Sequence, residues 1–195
     1  MQRTGIPTAR LKSSTPPPIS NVWLPYNDLL KRTIEALRAG KKINLNQPLQ
    51  NEIQINTGLA CIIPQSYLPD VHERLVLYKR IANAQNNDEL KDLQIEIIDR
   101  FGTLPEPLKN LLAATKLKLF AEKIGIEKIS LFEDKAVLNF ANKTKIEPLT
   151  IINLIQKQAA IYQLKGQSQL IIKQQMADGI ARIEWAHEQL KMLLE

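Results

Sequence analysis

This 195-residue chain has no second cysteine, so Cys61 cannot close an internal disulfide, and the pattern fits a reducing cytoplasm. Cys61 lies in an apolar run without a basic neighbour and reads as a small core residue. Histidine is almost as scarce. His72 and His187 stand far apart, which excludes the clustered ligands of a metal site and assigns both to surface or part-buried structural positions. The seven glycines are scattered, and none opens a phosphate-cradling loop. No serine sits in a nucleophile-elbow context. The expectation is therefore no catalytic residue, no metal and no cofactor. No apolar run approaches the ~20 residues of a membrane span, and the N-terminus lacks the apolar block of a secretory signal. Aromatics make up only 5%, leaving little on which unpaired bases could stack.

Acidic residues are in moderate deficit: 26 Lys and Arg against 20 Asp and Glu leave +6, with a pI near 9.4. Such an excess is compatible with phosphate contacts without being diagnostic. Much of it lies in the first fifty residues, which reads first as a solvated basic terminus. A nucleic-acid-binding adaptor is the rival, and it would need a continuous basic surface joining that terminus to Lys116, Lys118 and Lys123.

Residues 1–22, rich in Pro, Ser and Thr, read as a disordered or extended tail. Residues 23–50 read as a lead-in helix and linker, with Tyr26, Leu30, Ile34 and Leu37 on one face and Gly40 as the stop. Alternation at Ile53 and Ile55 predicts a strand. A helical hairpin follows. Pro69 and Asp70 open its first helix, whose expected buried stripe is Val71, Leu75, Tyr78, Ile81 and Ala82. Asp88 is the expected cap of the second, which carries Leu90, Leu93, Ile97 and Phe101 inward and stops at Gly102.

Thr103 and Glu106 have the spacing of a capping box, with Pro105 in the first turn. The helix they begin carries Leu108, Leu111, Leu112 and Leu119 on one side and Leu117, Phe120 and Ile124 nearly opposite, as a central helix would. Two β-hairpins, turning at Glu133-Asp134 and near Gly166, flank a short helix that begins at Pro148. A long helix from Met176 to Leu194 closes the chain, with Met176, Ile180, Ile183, His187, Leu190 and Leu194 in register. The fold class is α+β: a helical hairpin and central helix packed with small antiparallel β-hairpins and a long C-terminal helix.

Two features admit a partner. On the helix ending at Phe101, Asp92, Glu96, Asp99 and Arg100 fall in the sector opposite the apolar stripe. Glu96 and Arg100 are spaced i, i+4, so the cluster is either a solvated, self-paired face or a surface presenting both signs of charge. Trp185 and Met192 lie opposite the stripe of the last helix, which is then buried on two sides or docked onto something.

The stretch "PDVHERLVLYKRIANAQNNDELKDLQIEIIDRFGTLPEPLKNLL" resembles the C-terminal domain of bacterial transcription-repair-coupling factors. "YKRIA", "DEL", "DRFG" and "LPEP" stand at the family's spacing, and the likeness continues through "KIGIEKI", "LIQKQ", the Tyr162 hairpin and "RIEWAHEQL". It begins at about Tyr26, and the first twenty or so residues fall outside it; residues 51–195 are the expected regulatory domain. Family members are ATP-driven DNA translocases that dislodge stalled RNA polymerase and recruit nucleotide-excision repair through UvrA. None of the motor motifs occurs in this sequence, so the resemblance implies a non-catalytic domain. It would dock on the UvrB-like N-terminal module, in the same chain or in trans, and so mask the UvrA-binding surface and restrain the motor. The family's contact residues for that docking match Glu96, Asp99 and Arg100, which favours the interface reading of the charged face.

Overall fold

Asp70 caps the first described helix as expected, its carboxylate accepting from the Glu73 amide at 2.7 Å. The computed structural model describes residues 53–194; the expected tail and the lead-in helix lie outside the described residues. Strand β1 (Gln54–Asn56) precedes the hairpin formed by α1 (Val71–Asn83) and α2 (Asn87–Phe101). The inward stripe of α1 differs from the expected one. Leu77 and Ile81 are buried, whereas Val71, Leu75 and Ala82 are exposed and Tyr78 is half-buried. The inward face is rotated because Arg74 occupies a position on it. Its guanidinium donates to the carbonyls of Leu68 at 2.7 Å and Pro69 at 3.0 Å, so a charged residue shares the side that apolar periodicity reserves for the core.

Asn86, not Asp88, caps α2, with Oδ1 accepting from the Asp88 and Glu89 amides at 3.1 and 2.9 Å. The backbone is already helical at Asn87, so Asp88 lies inside the first turn, too late to act as cap. Gly102 ends α2 at φ 84°, as its sequence position predicts. Helix α3 (Glu106–Ile124) begins later than the Thr103 box requires. Pro105 is its cap residue rather than part of the first turn, and no side chain caps it.

Helix α3 joins two cores. Leu108 and Leu112 pack with Leu77, Ile81, Leu90, Leu93 and Ile97 of the hairpin. Leu117, Ala121 and Ile124 pack with the sheet and the C-terminal helix. Each such side chain contributes ~1.5–3 kcal/mol relative to exposure, so the helix is held from both ends.

The two β-hairpins are halves of one sheet. β2 (Ile126–Leu131), β3 (Lys135–Phe140), β4 (Tyr162–Lys165) and β5 (Gln169–Lys173) join β1 in the order β1-β2-β3-β5-β4. β1 runs parallel to β2, and every other pair is antiparallel. Ile129, Leu138 and Leu170 lie in one cross-strand row, and Leu131, Ala136, Ile172 and Tyr162 in another. Both rows point into the core against α3, α4 (Pro148–Lys157) and α5 (Ile180–Met192). Helix α5 starts at Ile180, after Gly179 at φ 67°, rather than at Met176. Its inward residues are Arg182, Ile183, Ala186 and Leu190, with Leu193 just beyond, while Leu194 is exposed.

Candidate docking interface

Glu96, Asp99 and Arg100 sit in the last two turns of α2, but the structure divides them between two settings. Glu96 and Arg100 turn toward α1. Arg80, in the last turn of α1, grips the Glu96 carboxylate with both guanidinium nitrogens, at 2.6 and 2.5 Å. Arg100 reaches Glu73 of α1 at 3.0 Å, while its i, i+4 contact with Glu96 is the longest of the set at 3.5 Å. The bidentate geometry decides the pairing, because two parallel charge-assisted bonds outweigh one long contact. It holds the Glu96 carboxyl down at about 2, chiefly through the Arg80 bonds and secondarily through Arg100. Arg100 also lies over the Phe101 ring, 4.7 Å from its centroid, and Tyr67 meets that ring edge-on before donating to the Gly102 carbonyl at 2.8 Å.

Asp99 is different. It is exposed and makes no ion pair or side-chain hydrogen bond among the described residues, and the same holds for Asp92. Between them on the outer side of the helix stands Ile95, 57% exposed, with Ile98, 41% exposed, beside it. Asp92, Ile95 and Asp99 follow the i, i+3, i+7 spacing of a single helical stripe. The mixed-charge sector of the sequence is thus a neutral ion-pair network in the groove between α1 and α2, next to an acidic and apolar outer strip.

Arg80 and Glu73 are the partners that sequence reasoning missed. Arg80 lies within the "YKRIA" stretch, but only the antiparallel closure of the hairpin puts it opposite Glu96. The groove that Glu73, Arg80 and Arg100 of this network line is about 250 Å³, and His72, Val76, Leu77 and Phe101 complete its lining. It brings no titratable pair into an enclosed cleft. Among the described residues no three of His, Cys, Asp and Glu gather as they would around a metal ion, and no helix is long and apolar enough to cross a membrane.

The remaining singled-out residues have local explanations. Cys61 is half-buried, and burial pushes its thiol upward against an opposing contact with the Thr57 hydroxyl at 3.5 Å. His187 meets the Phe120 ring at a tilt, 4.8 Å between centroids, and its pKa is lowered by burial and then by Lys191 and Lys116. Trp185 packs against the sheet core, while Met192 is exposed. Lys116 and Lys118, two residues apart on α3, point about 160° away from each other. Among the described residues, Lys118 therefore lies off the side of the helix that carries Lys116 and Lys123, and the N-terminal part of that basic surface lies outside them.

This architecture defines a class: an α+β domain with a mixed five-stranded sheet backed by helices, whose charged cluster lies along a surface groove between two helices and not in an enclosed cleft. Residues 57–151 match the family model described as the TRCF domain, and the chain belongs to the transcription-repair-coupling-factor family. It is 36% identical over 170 residues to the transcription-repair-coupling factor of Escherichia coli (strain K12), and 33% identical over 168 residues to that of Haemophilus influenzae. These alignments cover 87% and 86% of this chain but only 15% of each relative's length. The crystal structure of the C-terminal domain of a transcription-repair coupling factor shares the fold, with a TM-score of 0.58 at 18% identity, covering 73% of this chain and 93% of that one.

Proposed function

We propose that this chain is a non-catalytic docking domain that closes on the UvrB-like N-terminal module of a transcription-repair-coupling factor. In that position it covers the surface that UvrA would engage and restrains the motor that removes stalled RNA polymerase. The reading places it in the cytoplasm with that machinery. The supporting observation is the outer strip of α2, where Asp99 stands unpaired among the described residues beside exposed Ile95 and Ile98, over a hairpin pinned by Arg80 and Glu96. The network links α1 to α2 beside the strip, and the strip supplies an acidic rim around a small apolar centre, an arrangement suited to a basic and apolar counterpart.

The physics of such a contact favours a lid over a permanent clamp. Exposed ion pairs contribute ~0.2–1 kcal/mol each and exchange readily with water and salt. An effective concentration on the order of 1 mM within one chain lets a weak contact of this kind stay closed while leaving it within reach of a competing partner.

Asp99→Arg tests the reading without disturbing the fold, because no partner of Asp99 is lost among the described residues. We expect it to weaken binding to the purified UvrB-like module at least fivefold, by calorimetry or anisotropy, with an unchanged circular dichroism spectrum. Arg100→Glu is the less clean variant, since it sets a carboxylate beside Glu73 and Glu96. Wild-type affinity in Asp99→Arg would remove this site from the interface.

A further inference from the structure

All three helices that pack on the sheet lie on one face of it, and the other face is uncovered by any described helix. The outward positions are basic and amide-rich. One cross-strand row reads Gln54, Lys128, Asn139, Gln169 and Lys165 across all five strands, and the Gln169 amide donates to Asn139 at 3.1 Å within it. Four residues further along β3, a second row sets Lys135 directly opposite Lys173. Val137 and Ile171, half-buried and outside the core, lie between the rows. The five strands carry Lys128, Lys135, Lys165 and Lys173 against one carboxylate, Glu127, which is already engaged: 4 − 1 = +3. None of the four lysines makes an ion pair among the described residues.

Lys165 alone has an ordinary explanation, since a lysine on an edge strand deters stray pairing. Lys135 and Lys173 have no such edge role, because β3 and β5 are interior strands; Lys135 has the Phe132 ring 5.4 Å away, but like charges directly opposite still work against strand pairing. Glu133 and Asp134, in the turn beyond Lys135, do not bridge to either lysine. An anion laid across the face would relieve that repulsion.

The spacing indicates which anion. The two lysine rows are ~13 Å apart along the strands, and Lys128 and Lys165 are three strand intervals apart, ~14 Å. Both spans are on the order of the ~12 Å width of a duplex major groove, so the rows reach the phosphates on its two sides. Phe132, at one corner near Lys135 at 5.4 Å, is the one aromatic ring beside the outward rows among the described residues, which offer few platforms for unpaired bases. Arginine, the usual bidentate reader of guanine, is absent from the five strands.

We infer that the sheet face that no described helix covers is a sequence-independent contact for the phosphate backbone of duplex nucleic acid. It lies apart from the docking strip on α2 and does not depend on it. The test is fluorescence anisotropy of the full chain with a labelled duplex of arbitrary sequence, over a salt series. A variant carrying Lys128→Gln, Lys135→Gln, Lys165→Gln and Lys173→Gln should bind at least tenfold more weakly at low salt. Its slope of log K against log salt should be smaller by roughly 3 to 4, near 0.9 per lost phosphate contact. Should that variant fail to fold by circular dichroism, Lys165→Gln and Lys173→Gln singly should each reduce the slope by about one. Lys116→Gln with Lys123→Gln, on α3, and Asp99→Arg, on α2, should leave duplex binding unchanged. The inference is overturned if wild type does not bind duplex at low salt, or if the sheet variants keep the wild-type slope. Loss of binding in the α3 variant instead, or tighter binding of wild type to anionic lipid vesicles or an acidic peptide than to duplex, overturns it equally.

Discussion

Gly125 carries a constraint that no other residue can meet. It ends α3 in the left-handed region at φ 80°, and a Cβ there would stand 2.6 Å from the Lys143 carbonyl oxygen. The same corner holds the Lys145 amide to the Ile124 carbonyl at 2.9 Å and the Ala141 amide to Gly125 itself at 2.9 Å, so the neighbouring backbone cannot retreat. Gly125→Ala should therefore cost about 2–4 kcal/mol in a denaturant titration, combining left-handed strain with a backbone clash. Gly166, at φ 66° with open space around it, is the internal control, and its alanine variant should lose only about 1 kcal/mol. Equal losses at the two positions would show that the close approach contributes nothing.

The helical hairpin is tied at its outer side by charge and at its inner side by apolar packing. Glu96 reports on the first. Its folded carboxyl, held at about 2 against an ordinary 4.5, binds its proton less readily than in the unfolded chain, so folding favours the ionised form. That contribution is fully present above about pH 4.5 and is lost as pH falls toward 2. Glu96→Gln should accordingly show a shallower loss of urea midpoint over this window than wild type, and the two profiles should run parallel above it. Identical slopes throughout would mean that the Arg80 grip does not persist in solution. Phe101, at the end of the same helix, is half-exposed under Arg100, so its truncation should cost less than the ~3–5 kcal/mol of a fully buried phenylalanine.

Across the whole molecule, the decisive element is α3. Its first half belongs to the hairpin core and its second half to the sheet core, with no glycine or proline between Leu108 and Ile124 to decouple them. Two cores sharing one unbroken helix should melt together. Tryptophan emission, to which Trp185 on the sheet side contributes, and far-UV circular dichroism should give coincident denaturation curves. Ile97→Ala, a change in the hairpin core, should shift both to the same extent. Separate transitions would make the hairpin an independently folding unit.

Local chemistry made much of this fold legible from residues alone. The stop at Gly102, the cap at Asp70, the helix opening at Pro148 and the turn at Gly166 all follow from dihedral limits or from a side chain reaching its own backbone. These depend on neighbours in sequence. The resemblance carried by "YKRIA", "DRFG" and "LPEP" likewise identified the family. Long-range pairing was not legible. The parallel docking of β1 against β2 joins residues more than seventy positions apart, and it is the pairing of β3 with β5 that merges two hairpins into one sheet. Arg74 and Arg182 defeated apolar periodicity because Arg74 finds its acceptors in the Leu68 and Pro69 carbonyls and Arg182 in the Ala177 carbonyl and the Asp178 carboxylate, all in loop segments. At the docking strip, sequence spacing paired Glu96 with Arg100, and only closure of the hairpin brought Arg80 nearer. Sequence fixes what a residue does to its own turn of chain. Which distant charge or strand comes to lie against it is settled by the tertiary fold, where the energy of contact is shared among elements that the linear order keeps apart.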